Sequence, residues 1–246
     1  MSFLFFVRQC ICRGRFFFPA ILFLFFFHAS EAQREGPKNQ PKFDYQRVHF
    51  GFTLGVNVSD FNINLIPDFK YHDSVYTVIP EAIAGLNLGI ISNLRLGEHF
   101  DLRFIPSLSF SQRNLNYTIS YLDTVRRPVV KTIESNYLEF PIDLKFKSNR
   151  IRNYRVYVLA GFKYSIDMIS QVSVEAKDKD IVKLNRRDYG YEIGFGFDFY
   201  MPYFKFSPEI KMYHGLNNLL VQDGKPFARP IEALFSKTFT ITFNFE

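Results

Sequence analysis

The sequence predicts an all-β fold: an eight-stranded antiparallel transmembrane β-barrel with short periplasmic turns and long external loops. Three observations carry this. Eight stretches alternate apolar and polar residues with a period of two, which gives a strand one oily face and one wet face. The apolar rows are crowded with Phe, Tyr, Leu and Ile; aromatics are 18% of the 246 residues and 31 of them are Phe. Finally, the stretches follow a secretory leader, and the connections between them alternate long and short, as in outer-membrane barrels.

The leader comes first in the chain. Arg8, Arg13 and Arg15 make a basic n-region, Phe16 to Phe27 a short apolar run broken by Pro19, and Ser30-Glu31-Ala32 a small-x-small cleavage site. Residues 1–32 thus read as a signal peptide, with a retained anchor as the alternative. The run is too short to span a bilayer as a helix. Both cysteines, Cys10 and Cys12, lie inside it, so the mature chain has no disulfide, thiol nucleophile or lipidated cysteine. Removing the leader takes away three Arg and one Glu, leaving 27 basic against 23 acidic residues. This small, scattered excess lacks the basic tract with interleaved aromatics that nucleic-acid binding requires. Residues 33–46 are polar and unpatterned and read as a flexible lead. Residues 47–246 read as the barrel domain.

In the first strand Val48, Phe50, Phe52, Leu54, Val56 and Val58 form the oily row, opposite Gly51, Thr53, Gly55 and Asn57. The second runs from about Ala82 to Leu96, with Leu86, Leu88 and Ile90 facing lipid. The third sets Phe100, Leu102, Phe104, Leu108 and Phe110 against Asp101, Arg103, Ser107 and Ser109. The fourth sets Leu138, Phe140, Ile142, Leu144 and Phe146 against Glu139, Asp143, Lys145 and Lys147. The fifth pairs Val156, Val158, Phe162, Tyr164 and Ile166 with Arg155, Lys163 and Asp167. In the sixth, Tyr189, Tyr191, Ile193, Phe195, Phe197 and Phe199 oppose Glu192, Gly194, Gly196 and Asp198. The seventh has Phe204, Phe206, Ile210 and Met212 against Lys205, Ser207, Glu209 and Lys211. The eighth, Thr238 to Phe245, alternates without a fault. Each stretch suits a tilted membrane-crossing strand of about 9–11 residues.

The long connections fall at about residues 60–81, 112–135, 170–187 and 214–234, and the short ones at Gly97-Glu98, Ser148–Asn153 and Met201-Pro202. An even strand count then places both termini on the turn side. The competing fold is a soluble barrel of the lipocalin sort, with the oily row inside. Volume argues against it, because an eight-stranded barrel has an interior only just filled by side chains. Pro106, Pro141 and Pro208 interrupt strand patterns in a closed ladder that offers no edge for them. Bulges, strand ends near the rim or shifted boundaries would accommodate them.

The inward row is expected to carry Asp101, Glu139, Asp143, Asp167, Glu192, Asp198 and Glu209 with Arg103, Arg155, Lys145, Lys163, Lys205 and Lys211. Near neutrality suits a packed ion-pair lumen, since unpaired buried charges are costly. A proton or substrate channel is the alternative, and the plugged core is favoured over it because eight strands leave no wide aqueous path. Mature histidines are His49, His72, His99 and His214, without metal-ligand spacing. Ser107, Ser109 and His99 can be imagined into a Ser–His–acid set, but nothing in the sequence ties them together. Gly194-Phe195-Gly196 lies inside a strand rather than before a helix, so it is not a phosphate loop. No catalytic, metal or cofactor-binding residue is assigned, and no cofactor or small-molecule substrate is inferred.

Several blocks point to a family. Tyr137-Leu138-Glu139-Phe140-Pro141 resembles a strand motif of small outer-membrane barrels of the Bacteroidota. His49 to Asn57, Tyr154 to Asp167, Ser207 to Lys211 and Gly215 to Leu219 resemble the PorT (SprT) family. The resemblance runs over about residues 42–246 and is weakest at 60–81 and 170–187. It implies an integral outer-membrane, non-enzymatic barrel needed for type IX protein secretion and gliding motility. Its surroundings would be outer-membrane lipid and protein partners in the secretion machinery. A structural or adhesive barrel and a lipid-modifying enzyme stand as alternatives.

Overall fold

The computed structural model describes residues 37–66, 75–121, 125–169, 182–222 and 227–246, so the signal peptide and His72 lie outside the described residues. The strands are β1 (Val48–Leu65), β2 (Val75–Arg95), β3 (Phe100–Phe104), β4 (Ser107–Tyr121), β5 (Val125–Lys147), β6 (Tyr154–Asp167), β7 (Arg187–Tyr200), β8 (Lys205–Gly215) and β9 (Ile231–Phe245). All pairings are antiparallel, and β1 joins both β2 and β9, which closes the ring.

Nine strands make eight crossings, because β3 and β4 are one crossing interrupted at Ile105-Pro106. Their register against β5 is continuous, from Phe104↔Ile142 to Ser107↔Glu139. The gap falls opposite Pro141. Ile105 N–H donates to the Pro141 carbonyl at 3.4 Å, and Pro141 has no N–H to return. Pro208 sits where the β7–β8 ladder skips from Gly196↔Glu209 to Phe199↔Phe206. The three prolines therefore occupy gaps in the middle of crossings rather than strand ends at the rim. Each removes a donor at a place where the ladder is already open.

Parity is as expected in every crossing. Phe50, Phe52, Leu88, Phe104, Phe195 and Ile241 are exposed on the outside, while Thr53, Asn87, Arg103, Asp143, Glu192 and Thr240 are buried inside. The inward row is polar, so the lipocalin alternative falls.

The strands extend well past the expected boundaries. Residues 60–65, 75–81, 112–121 and 125–135, expected in external loops, belong to β1, β2, β4 and β5. In these extensions both rows change chemistry. Outward, β1 passes from Val58 to Asp60 and Asn62, β4 from Phe110 to Gln112 and Asn114, and β5 from Leu138 to Asn136 and Glu134. Inward, β1 passes from Ser59 to Phe61, β4 from Arg113 to Leu115 and Tyr117, and β5 from Ser135 to Ile133. The exchange occurs at one level around the wall and marks the external membrane boundary. Below it hydrocarbon solvates the outside; above it water does, and the apolar residues turn inward.

Above that level the ring also opens. The β1–β2 pairing ends at Ser59↔Ile83, and the β5–β6 pairing ends at Tyr137↔Asp167. What rises beyond is a β1–β9 ribbon and a three-stranded sheet of β2, β4 and β5.

Candidate functional site

The barrel interior holds the densest chemistry, so it is the candidate site. All thirteen expected lumen charges are buried. At the periplasmic half, Arg103 reaches Glu209 at 2.6 Å and Glu246 at 3.2 Å, and Lys205 takes the other Glu246 oxygen at 2.8 Å. Tyr157 O–H donates to Glu209 at 2.7 Å. Lys145 binds both oxygens of Asp198 at 2.9 and 3.0 Å, and Ser207 donates to the same carboxylate at 2.7 Å. Lys147 pairs with Asp101 at 2.5 Å. Higher up, Lys211 meets Glu192 at 3.0 Å, and Lys163 meets Glu139 at 3.0 Å. Buried charges are costly unless partnered, and this lattice partners most of them across β3, β5, β6, β7 and β8, while Asp143 meets Lys211 only at 3.8 Å. Small residues make the room for it: a Cβ on Gly196 would sit 2.5 Å from the Tyr157 ring.

Four further charges join the lumen, of which only Lys147 is placed on a polar row by the sequence reading. Lys147 and Glu246 continue inward rows at two-residue spacing from Lys145 and Asn244. Arg113 follows Ser107, Ser109 and Ser111 in the same way, and Asp188 shares the parity of Glu192. Period two, carried a residue or two further, finds Glu246, Arg113 and Asp188 as well. Arg113 stacks over Phe61 at 4.6 Å and donates to Tyr137 O–H at 3.1 Å, just below the level where the interior turns apolar.

Both ends of the lumen are closed. At the base, residues 39–46 do not trail freely as the lead was expected to. A short 3-10 helix, Phe43–Tyr45, packs under the barrel. Phe43 stacks on His49 with ring centroids 3.9 Å apart and meets Tyr200 edge-on. Asp44 accepts from Arg150 at 3.0 Å, Arg155 at 2.9 Å and Tyr200 at 3.1 Å. Burial would raise the Asp44 carboxyl, but Arg155 and Arg150 outweigh it and hold the group below the usual carboxylate range. The docking depends on two residues meeting distant strands, which no local pattern in the lead encodes.

At the external end an apolar cap covers the lumen. Leu115, Tyr117 and Ile133 from the tall strands pack with Leu184, Leu219, Leu220 and Phe227 from the connections. Tyr117 O–H donates to the Phe227 carbonyl at 3.1 Å. The Asn218 side-chain oxygen accepts from both Leu220 N–H and Leu234 N–H at 3.0 Å, which ties the β8–β9 connection to β9. Between the closures, a cavity of about 20 Å³ lies among Thr53, Glu139, Lys163, Glu192 and Thr242. That is room for roughly one ordered water, not a path.

The histidine and serine candidates are not brought together. His99 sits in the β2–β3 turn with Nδ1 3.0 Å from the Lys147 carbonyl. Ser107 donates to Glu139, and Ser109 accepts from Asn57. His49 is under the barrel against Phe43, and His214 lies beside Tyr191 on β8. Among the described residues no group of three or more His, Cys, Asp or Glu could hold a metal ion.

A family model for the outer membrane protein beta-barrel domain matches residues 31–221. The chain belongs to this outer-membrane β-barrel family. Its barrel is therefore an integral component of the outer membrane, with the aromatic outer face in lipid and the polar face within. Among solved structures it is similar to the Neisserial surface protein A, at 7% identity over 81% of this chain and 98% of that one, with a TM-score of 0.42. It is similar to the outer membrane protein OprG of Pseudomonas aeruginosa, at 11% identity over 81% and 95%, with a TM-score of 0.42. It is also similar to Ail, the attachment invasion locus protein of Yersinia pestis, at 10% identity over 81% and 99%, with a TM-score of 0.35. No curated protein matches the chain.

Proposed function

We propose that this outer-membrane barrel is a non-enzymatic component of type IX protein secretion and acts by contact with other proteins of the secretion machinery. The observation that supports action by contact is the double closure of the lumen. Asp44 and Phe43 fill the base, the Leu115–Phe227 cap covers the top, and the cavity among Thr53, Lys163 and Glu192 between them holds about one water. An interior so filled leaves the rims and the tall external wall as the surfaces available for work. The resemblance of residues 49–57, 154–167 and 207–219 to PorT supports the type IX assignment. The dispersal of Ser107, Ser109 and His99 favours contact over catalysis. Since eight strands cannot pass a folded protein, a separate large translocon carries the cargo.

Deletion of the gene tests this reading. The expected result is type IX cargo held in the periplasm with its C-terminal signal uncleaved, while Sec export continues. Normal cargo release would overturn the assignment and leave a structural barrel. Neutralising Glu192 and Asp198 is expected to reduce barrel abundance without a selective secretion defect. A secretion block at normal abundance would return a transport role to the lumen.

A further inference from the structure

Among the described residues, six cations of the barrel interior each have a carboxylate at 3.0 Å or closer. Arg103 has Glu209, Lys145 has Asp198, Lys147 has Asp101, Lys163 has Glu139, Lys205 has Glu246 and Lys211 has Glu192. Asp143 is the acid that this network leaves over. It is fully buried, and neither of its side-chain oxygens accepts a hydrogen bond. The cation it meets, Lys211, stands at 3.8 Å and is already held by Glu192 at 3.0 Å. Arg103 is opposite Asp143 in the β3–β5 register, but its terminal nitrogens go to Glu209 and Glu246. An ionised Asp143 would be a buried charge without a partner of its own, which a sealed interior disfavours.

What Asp143 faces is a second carboxyl. Asp143, Gly161 and Glu192 stand side by side in register on β5, β6 and β7. Gly161 puts no side chain between them. A Cβ there would collide with Asp143 Oδ1, so the Asp143 carboxyl lies over the glycine, within hydrogen-bonding reach of Glu192. Two ionised carboxylates offer only acceptors, and no bond joins them unless one carries a proton. Like charges this close do not both ionise. We infer that Asp143 and Glu192 form a proton-binding site in the lumen, in which Asp143 is a neutral acid and donates its O–H to the Glu192 carboxylate. Glu192 keeps its charge because Lys211 holds it at 3.0 Å. The charges of the network then balance, six carboxylates against six cations, with Asp143 neutral. The titratable groups registered around this row are Arg103 on β3, Lys145 on β5, Lys163 on β6, and Glu209, Lys211 and Tyr213 on β8. Each charged one among them already has its partner in the six pairs. The shared proton ties β5 to β7 over the glycine of β6, which makes the packing of the lumen sensitive to alkali.

The experiment uses the full mature barrel in ester-free detergent, with carbon-13 in the aspartate side-chain carboxyls, and reads its infrared spectrum at neutral pH. A protonated aspartate band should be present, and the difference between the parent and Asp143→Asn should show the loss of one such band. Glu192→Gln frees Lys211 to pair with an ionised Asp143, so it should lose the same band. The second reading is urea unfolding from lipid vesicles as a function of pH. Above pH ~5 an aspartate of the unfolded chain is ionised, so the folded barrel holds one more proton and rising pH favours unfolding. The unfolding constant of the parent should therefore rise about tenfold more per pH unit than that of Asp143→Asn, whose amide keeps the bond to Glu192. A parent spectrum without a protonated aspartate band would overturn the site, with a water or a cation in the proton's place. So would an unchanged band in either variant, or equal pH slopes in the parent and Asp143→Asn.

Discussion

The membrane drum and the external cap are built from the same strands with opposite rules. In the drum, β4 sends Phe110 outward and Ser109 inward; a turn of the ladder higher, it sends Asn116 outward and Leu115 inward. Nothing about the backbone changes, since the β4–β5 register is unbroken across the boundary. What changes is the solvent. Hydrocarbon accepts the oily row below, so cohesion inside comes from ion pairs such as Arg103–Glu209. Water surrounds the strands above, so cohesion returns to apolar burial. The comparison shows that a period-two pattern reports two faces, and that the medium decides which face is the core.

The largest effect is expected in the drum. Arg103→Ala would leave Glu209 and Glu246 without their shared cation in a sealed interior and should cost about 3–5 kcal/mol. Chemical unfolding from lipid vesicles would measure it, and a cost near zero would mean that water reaches the network. In the cap, Leu115→Ala removes a fully buried side chain from an apolar cluster and should cost about 2–5 kcal/mol. The loss should appear as faster proteolysis of the external end while the heat-modifiable migration of the drum on gels persists.

A third measurement compares outward positions across the boundary. Phe195→Arg faces hydrocarbon and should cost about 2–4 kcal/mol if it lies near the midplane. Asn116→Arg, on the outer face above the boundary, should fall within about 0.5 kcal/mol of the parent. Equal costs would erase the boundary drawn between Phe110 and Gln112.

The smallest effect concerns the base. The Asp44 carboxyl, ordinarily at 3.8, is held lower when docked against Arg155 and Arg150. A depressed folded value means its contribution is whole above 3.8 and is lost as pH falls through the lower folded value. A spin label at Lys42→Cys, exposed but held by the docked lead, should therefore gain mobility only in strong acid. Asp44→Asn should remove that acid step and leave the label mobile at neutral pH. An unchanged profile in Asp44→Asn would show that Phe43, rather than the ion pairs, holds the base.

The strand count, the parity of every crossing and the lumen charges were legible in the sequence, because each rests on period two within about ten residues. The ends of the strands were not. Asp60, Asn62, Asn114 and Asn116 break the oily row, and a polar outward residue reads as loop when lipid is assumed outside. The inward Leu115, Tyr117 and Ile133 carry the same alternation in reverse, which is where a strand continuing into water leaves its mark. Pro106, Pro141 and Pro208 were visible as conflicts, but only the register shows Ile105-Pro106 falling opposite Pro141 in one shared gap.

By itself the sequence determined a membrane barrel with a charged interior, since local alternation and bulk aromatic content require nothing distant to be known. Tertiary structure alone decided two things: the closure of the base by Phe43 and Asp44, and the cap around Leu115 and Phe227. Each depends on where strands more than a hundred residues apart, or strands of unequal length, come to stand beside one another. That placement is set by ring closure between β1 and β9 and by the level at which each strand ends, and no local pattern encodes either.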